Sequence, residues 1–180
     1  MSGWVLPLQR RTGAESHSGE EGSRFATRYL VHHEVSLTIE DQPVPVQSGI
    51  ALARWSNPEG PLYITSTGPL TGDRSAYSLD TIVAYMLTRP PEGAESIKYA
   101  ECSSNWPGHL DQILAEDAAC QNGDYVRERT AGWLFTEEQP DTVPVFRCLE
   151  RQAQSHFASS DSGCEGLGEM EFVLGYGLKP

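Results

Sequence analysis

The chain has 180 residues, with 13 Lys and Arg against 25 Asp and Glu and a formal net charge of −12 at neutral pH. That length suits one domain with a real core. The acidic balance, with no cluster of Lys and Arg, argues against partners that present phosphate, whether nucleic acid or a flat anionic membrane, and the longest apolar run, Ile82–Leu87, is far too short to cross a bilayer.

Taken from the N-terminus, Gly3-Trp4-Val5-Leu6 resembles the later stretches Gly132-Trp133-Leu134-Phe135 and Gly175-Tyr176-Gly177-Leu178, as a closing strand or the remnant of a further copy would. Residues 13–24 contain only Gly, Ser, Glu, Ala, His and Arg. Nothing there drives burial, and a mobile loop is expected over residues 9–27. Tyr29, Val31, His33, Val35, Leu37 and Ile39 then alternate with Leu30, His32, Glu34, Ser36 and Thr38, which predicts a half-buried strand. Pro43 and Pro45 break it.

Shorter strands are expected next. Ile50–Trp55 and Leu62–Thr65 flank the turn Asn57-Pro58-Glu59-Gly60, and Thr81–Leu87 follows. Lys98–Cys102 and Val145–Cys148 open two further groups, and Trp133–Thr136 and Phe172–Leu178 close them. Alternation places Phe172, Leu174, Tyr176 and Leu178 on one face of the last strand. Leu110–Ala119 is read as a helical turn or two, and no segment sustains a long helical period.

Internal repetition organises these elements. Residues 99–138 and 145–178 share an order of aromatic plus Cys, His with an apolar partner, Asp-x-x-Cys, and a tail ending in Gly-aromatic. Residues 51–87 keep the aromatic and apolar positions without either cysteine. A period of about 45 residues points to a repeat architecture. The expected fold is all-β and β-trefoil-like. It comprises a single domain, 1–180, with three pseudo-symmetric repeats at roughly 28–97 (including the N-terminal strand), 98–142 and 143–180. Closing short strands round a threefold axis also removes exposed edges. A small propeller or an irregular sandwich is the alternative.

The four cysteines fall as one pair in each of two repeats, which predicts Cys102–Cys120 and Cys148–Cys164 among the three connectivities that four cysteines allow. Each bond closes a short loop and contributes roughly 3 kcal/mol. Structural zinc takes cysteines two to four positions apart, and here none are closer than 16. No metal or other cofactor is expected. Paired cysteines favour an oxidising compartment, whereas residues 1–8 (MSGWVLPL) lack the pattern of a secretory leader. An extracellular location is expected, with the cytoplasm as the alternative.

Arg147-Cys148, Ser155-His156-Phe157, Ser159, Asp161, Cys164-Glu165-Gly166 and Gly175-Tyr176 follow an order that resembles a family of short repeats in secreted microbial proteins. The middle segment resembles it less closely, with Leu110 in place of Phe and Cys120-Gln121-Asn122 in place of Cys-Glu-Gly. The resemblance implies a lectin-like accessory module and carries over no catalytic set.

Five residues are candidate ligand contacts. His109 and His156 are placed at matching positions, as repeated hydrogen-bonding groups or as histidines locking their own loops. Asp117 and Asp161 each stand three before a cysteine, where a carboxylate either binds sugar hydroxyls or satisfies turn N–H groups. Trp106 lies in the polar stretch Ser103–Gly108, a plausible stacking surface for a sugar face or a protein partner. Tyr85, Trp133 and Tyr176 recur at one register and are read as core. His32 and His33 point to opposite faces of a strand and do not chelate one ion. No Gly-x-Ser-x-Gly, phosphate-cradling loop or His-Glu-x-x-His occurs. The leading expectation is a non-catalytic carbohydrate-binding module with shallow repeated sites. Behind it stand a protein-binding module such as a protease inhibitor, using Ser103–Gly108 or Leu70–Ser78, and a small secreted hydrolase.

Overall fold

The computed structural model describes residues 48–180 except Asp117, Ala118 and Asn122, and the side chains there except those of Asp73 and Gln121. The loop expected over 9–27, the strand expected over Tyr29–Ile39 and the stretch resembling a closing strand at Gly3–Leu6 lie outside the described residues.

Short runs of β-branched and aromatic residues bounded by Gly, Pro, Asn and Asp produce nine strands among the described residues. They are β1 (Gly49–Ser56), β2 (Tyr63–Ser66), β3 (Ser78–Leu87), β4 (Ser96–Ser104), β5 (Gln112–Glu116), β6 (Tyr125–Phe135), β7 (Thr142–Glu150), β8 (Ser155–Ser159) and β9 (Glu169–Leu178). All pairings are antiparallel. β1 lies between β2 and β3, β4 between β5 and β6, and β7 between β8 and β9. A 3₁₀ turn precedes each long third strand, at Gly72–Ala76, Ala119–Gln121 and Cys164–Gly166.

The three long strands join in a ring. Leu87 pairs with Trp133, Phe135 with Tyr176, and Leu178 with Tyr85. Each middle strand carries two register shifts, at Leu52/Ala53 and Arg54/Trp55, at Tyr99/Ala100 and Glu101/Cys102, and at Val145/Phe146 and Arg147/Cys148. Arg54, Glu101 and Arg147 therefore occupy corresponding places, followed by Trp55, Cys102 and Cys148. A tryptophan stands in the first group where the other two have a cysteine.

Inside the ring lies an apolar core that includes Leu52, Met86, Tyr99, Leu134, Val145 and Leu174. The Tyr99 hydroxyl donates to the Leu174 carbonyl at 2.6 Å, and burial pushes its phenol up to about 12, with Glu116 adding to the effect. Two satellite clusters form round the disulfides Cys102–Cys120 and Cys148–Cys164, with Cα separations of 5.8 and 6.0 Å. Both pairings are those expected from the repeat. They suit an oxidising setting.

Three expectations are corrected. Tyr85, Trp133 and Tyr176 are half-buried at the joins of the ring and not part of the core. Within the stretch read as helical, Gln112–Glu116 is strand β5, where Ile113 and Leu114 pair with Cys102 and Glu101. In β9 the shift opposite Val145/Phe146 skips Leu174 and breaks the alternation, so Phe172 is 48% exposed while Leu174 is buried.

Two of the three joins need backbone without a Cβ. Gly132 and Gly175 directly precede Trp133 and Tyr176 with φ near 148° and 150°. A Cβ on Gly175 would stand 2.6 Å from the Phe135 carbonyl oxygen, and one on Gly132 would stand 2.7 Å from that of Leu87. Gly175→Ala is expected to cost about 1–3 kcal/mol through backbone strain alone. Urea unfolding measures it, and a loss below about 0.5 kcal/mol, the range of an ordinary surface substitution, contradicts this account of the ring.

Candidate functional site

Charge sits where the sequence is otherwise apolar: Ala53-Arg54-Trp55, Ala100-Glu101-Cys102 and Phe146-Arg147-Cys148. A buried charge is stable only when paired and hydrogen-bonded, and each finds its partners at a seam between strand groups or on its own long strand. Arg54 is 2% exposed. Its Nε donates to Asp80 at 2.7 Å, and its Nη1 and Nη2 grip Glu165 of the third group at 2.9 and 2.6 Å. This fork geometry is the strong form of an ion pair. The Arg54 bond, opposed by some burial, holds the Glu165 carboxyl below its usual range, and Ser159 donates to the same carboxylate.

Glu101 is fully buried. It accepts from the Thr67 N–H and hydroxyl (both 2.7 Å), the Ser66 hydroxyl (2.8 Å) and Gln112 Nε2 (3.1 Å), and lies 3.2 Å from Arg129 Nε. The first and second groups are thus joined by one saturated carboxylate. Asp111 joins the second group to the third. It accepts from the His156 N–H (2.7 Å) and the Tyr125 hydroxyl (2.6 Å), with His156 Nδ1 at 2.8 Å. Burial opposes ionisation of Asp111, but the bonds from His156 and Tyr125 outweigh it and hold the carboxyl below the usual range. Burial and the same bond push the Tyr125 phenol up. The second His156 nitrogen lies 3.5 Å from Glu171, which pairs with Arg147 at 2.8 Å.

This geometry places the five candidate residues. His156 is 15% exposed at its side chain and engaged by two carboxylates. Both ring nitrogens of His156 thus face carboxylates, Asp111 on one side and Glu171 on the other. Asp161 caps the turn of the third group, accepting from the Gly163 and Glu165 N–H groups at 3.1 and 3.0 Å. Both residues brace their own surroundings. Asp117 lies outside the described residues. His109 does not correspond to His156: His156 stands opposite Leu149 in β8, where Gln112 stands opposite Ser103 in β5. Gln112 stands ten positions after Cys102 where His156 stands eight after Cys148, so the link before β5 is longer by two residues and the two histidines do not align. Sequence reasoning missed Arg54, Glu101, Asp111 and Gln112. The available signal for Arg54 and Glu101 was a lone charge inside an apolar strand, before Trp55 and Cys102, and Asp111 and Gln112 carried none.

Trp106 and His109 remain together. Their ring centroids lie 6.0 Å apart, and Trp106 is 60% exposed with Leu110 48% exposed beside it. The loop is fixed from several sides. Ser104 N–H donates to the Asp111 carbonyl at 2.9 Å, Asn105 N–H to that of Asp124 at 2.8 Å, and His109 N–H to that of Trp106 at 3.2 Å. Cys102–Cys120 closes round it. The corresponding links, 57–62 and 151–154, contain no aromatic residue, so the platform occurs once among the three.

Where β2, β5 and β8 converge, a cavity of about 10 Å³ lies between Thr65, Gln112, Leu114, His156 and Ala158. It admits one water and no sugar. Among the described residues no three His, Cys, Asp or Glu side chains converge on a metal position, and no helix is long and apolar enough to cross a membrane. No protein-family model, curated protein or solved structure matches this chain.

The Asp111 network has a pH signature. A carboxyl held low in the folded state stabilises the fold above its unfolded value of about 3.9 and loses that contribution as pH falls through the folded value. Asp111→Asn is therefore expected to cost about 2 kcal/mol near neutrality, with the deficit shrinking below about pH 4. Urea unfolding at pH 7 and pH 3 checks this, and a deficit that stays constant excludes an ionised Asp111 at the seam.

Proposed function

We propose that this is a non-catalytic, secreted binding module in which the three strand groups are copies of one block of about 45 residues, closed round an axis in trefoil-like fashion. Recognition rests on the single loop 105–111, with Trp106 as its anchor and a protein as its partner. The observation that carries this reading is the exposed pair Trp106 and Leu110 on a loop held by hydrogen bonds and enclosed by a disulfide. A rigid aromatic on a preorganised loop loses little entropy on binding, and tryptophan is the residue most often found to dominate such contacts. His156 and Asp161 are engaged internally, which weakens the reading of sugar sites repeated in every block.

A carbohydrate ligand is the second reading. The observation in its favour is His109 beside Trp106, an imidazole next to an aromatic face, the arrangement that pairs stacking with a hydrogen bond to a hydroxyl. A secreted-protein array and a glycan array, each probed with the unaltered chain and with Trp106→Ala, separate the two. The expected result is a protein partner whose affinity falls about 30-fold or more on substitution, while the melting temperature stays unchanged. A glycan that behaves so establishes the second reading. Binding on both arrays that is indifferent to Trp106→Ala removes the loop from consideration.

A further inference from the structure

We propose that the outer edge of β9, Glu169–Val173, is the docking site of the chain's own segment Tyr29–Ile39. On one side β9 pairs with β7. On the other it meets β6 and β3 only at Tyr176 and Leu178, so among the described residues no strand covers the edge of residues 169–173. Met170, Phe172 and Val173 there are 45%, 48% and 47% exposed. An open apolar edge is a template for another strand, and proteins ordinarily guard such edges with charge.

The corresponding stretch of β6 carries three charges in succession, Arg127, Glu128 and Arg129. Residues 169–173 carry two, Glu171 paired with Arg147 at 2.8 Å and Glu169 paired with Arg151, beside the three exposed apolar side chains. What remains is five residues of main chain flanked by apolar side chains with their charges matched. Such an edge calls for an extended occupant that is apolar at alternate positions and nearly free of charge.

Tyr29–Ile39 has that character, with Tyr29, Val31, His33, Val35, Leu37 and Ile39 on one face and Glu34 as its one acidic residue. Length permits the contact. The Ser48 carbonyl accepts from Thr88 N–H at 3.1 Å, beside the end of β3, and β3 meets β9 at Tyr85 and Leu178. The link 40–47 spans up to about 30 Å when extended, close to the length of a ten-residue strand. The mode is strand addition, with main-chain bonds and alternate side chains both contributing.

Amide exchange followed residue by residue in the full chain tests this, with Val145–Cys148 of β7 as the internal control for folding. The expected result is slow exchange at outward-facing amides within Glu169–Val173, accelerated ~tenfold or more by Val35→Pro, with the β7 amides unchanged. Phe172→Lys, placed on the edge itself, is expected to do the same. Free exchange at the edge in the unaltered chain overturns the proposal, as does protection that survives both substitutions. Protection that grows with chain concentration also overturns it, because the occupant then belongs to a second molecule.

Discussion

Leu87 opposite Trp133, Phe135 opposite Tyr176 and Leu178 opposite Tyr85 are the joins between the three strand groups, and each is a single residue pair long. So short a join contributes little main-chain bonding, at roughly 1 kcal/mol for each net hydrogen bond. Cohesion between the groups must therefore come from side chains. At the ring it is apolar, with Met86, Leu134 and Leu174 packed from three different strands. Away from the ring it is ionic and hydrogen-bonded, through Arg54 with Glu165, Glu101 with Ser66 and Thr67, and Asp111 with His156. The glycines at 132 and 175 belong to the same constraint at two of the three joins, where a Cβ would meet the carbonyl oxygens of Leu87 and Phe135.

The seams differ in chemistry although they correspond in position. Arg54, Glu101 and Arg147 share one place in their strands yet alternate in sign. Like charges at one seam repel, and an unpaired carboxylate in a dry interface is strongly unfavourable. A cation that needs Glu165, a carboxylate that needs Thr67 and an imidazole that needs Asp111 are not interchangeable. The three strand groups thus close in one order. Buried ion pairs of this kind add less to net stability than apolar packing of equal volume, and their contribution here is to specificity.

Much of this was legible in the residues. Cysteines gained and lost in pairs fixed both disulfides. Tyr85, Trp133 and Tyr176, read as core from their shared register, instead lie half-buried at the joins of the ring. Alternation located most of the strands, because the half-buried pleat imposes a period of two. The seams were not legible. Glu101 meets residues 34 and 35 positions away, Asp111 meets one 45 away, and Arg54 meets Glu165 at a separation of 111. No local pattern encodes contacts at that distance. Asp161 looked like a ligand because a carboxylate that caps a turn and one that binds a hydroxyl are the same residue in a sequence, and His156 looked like one because its apparent match with His109 is not a match in register.

The misalignment of His109 with His156 has a use. The link before β5 is longer than that before β8 by two residues in register, and the extra residues lie in the loop that carries Trp106 and Leu110 into solvent. Elsewhere a departure from the common plan costs a seam or a core contact. At the tip of a link it costs neither, because the backbone there is satisfied within the loop and against Asp124. A rigid scaffold with one enlarged link is how folds usually acquire a recognition surface. The enlarged link between β4 and β5 is thus also where a large aromatic side chain is kept exposed.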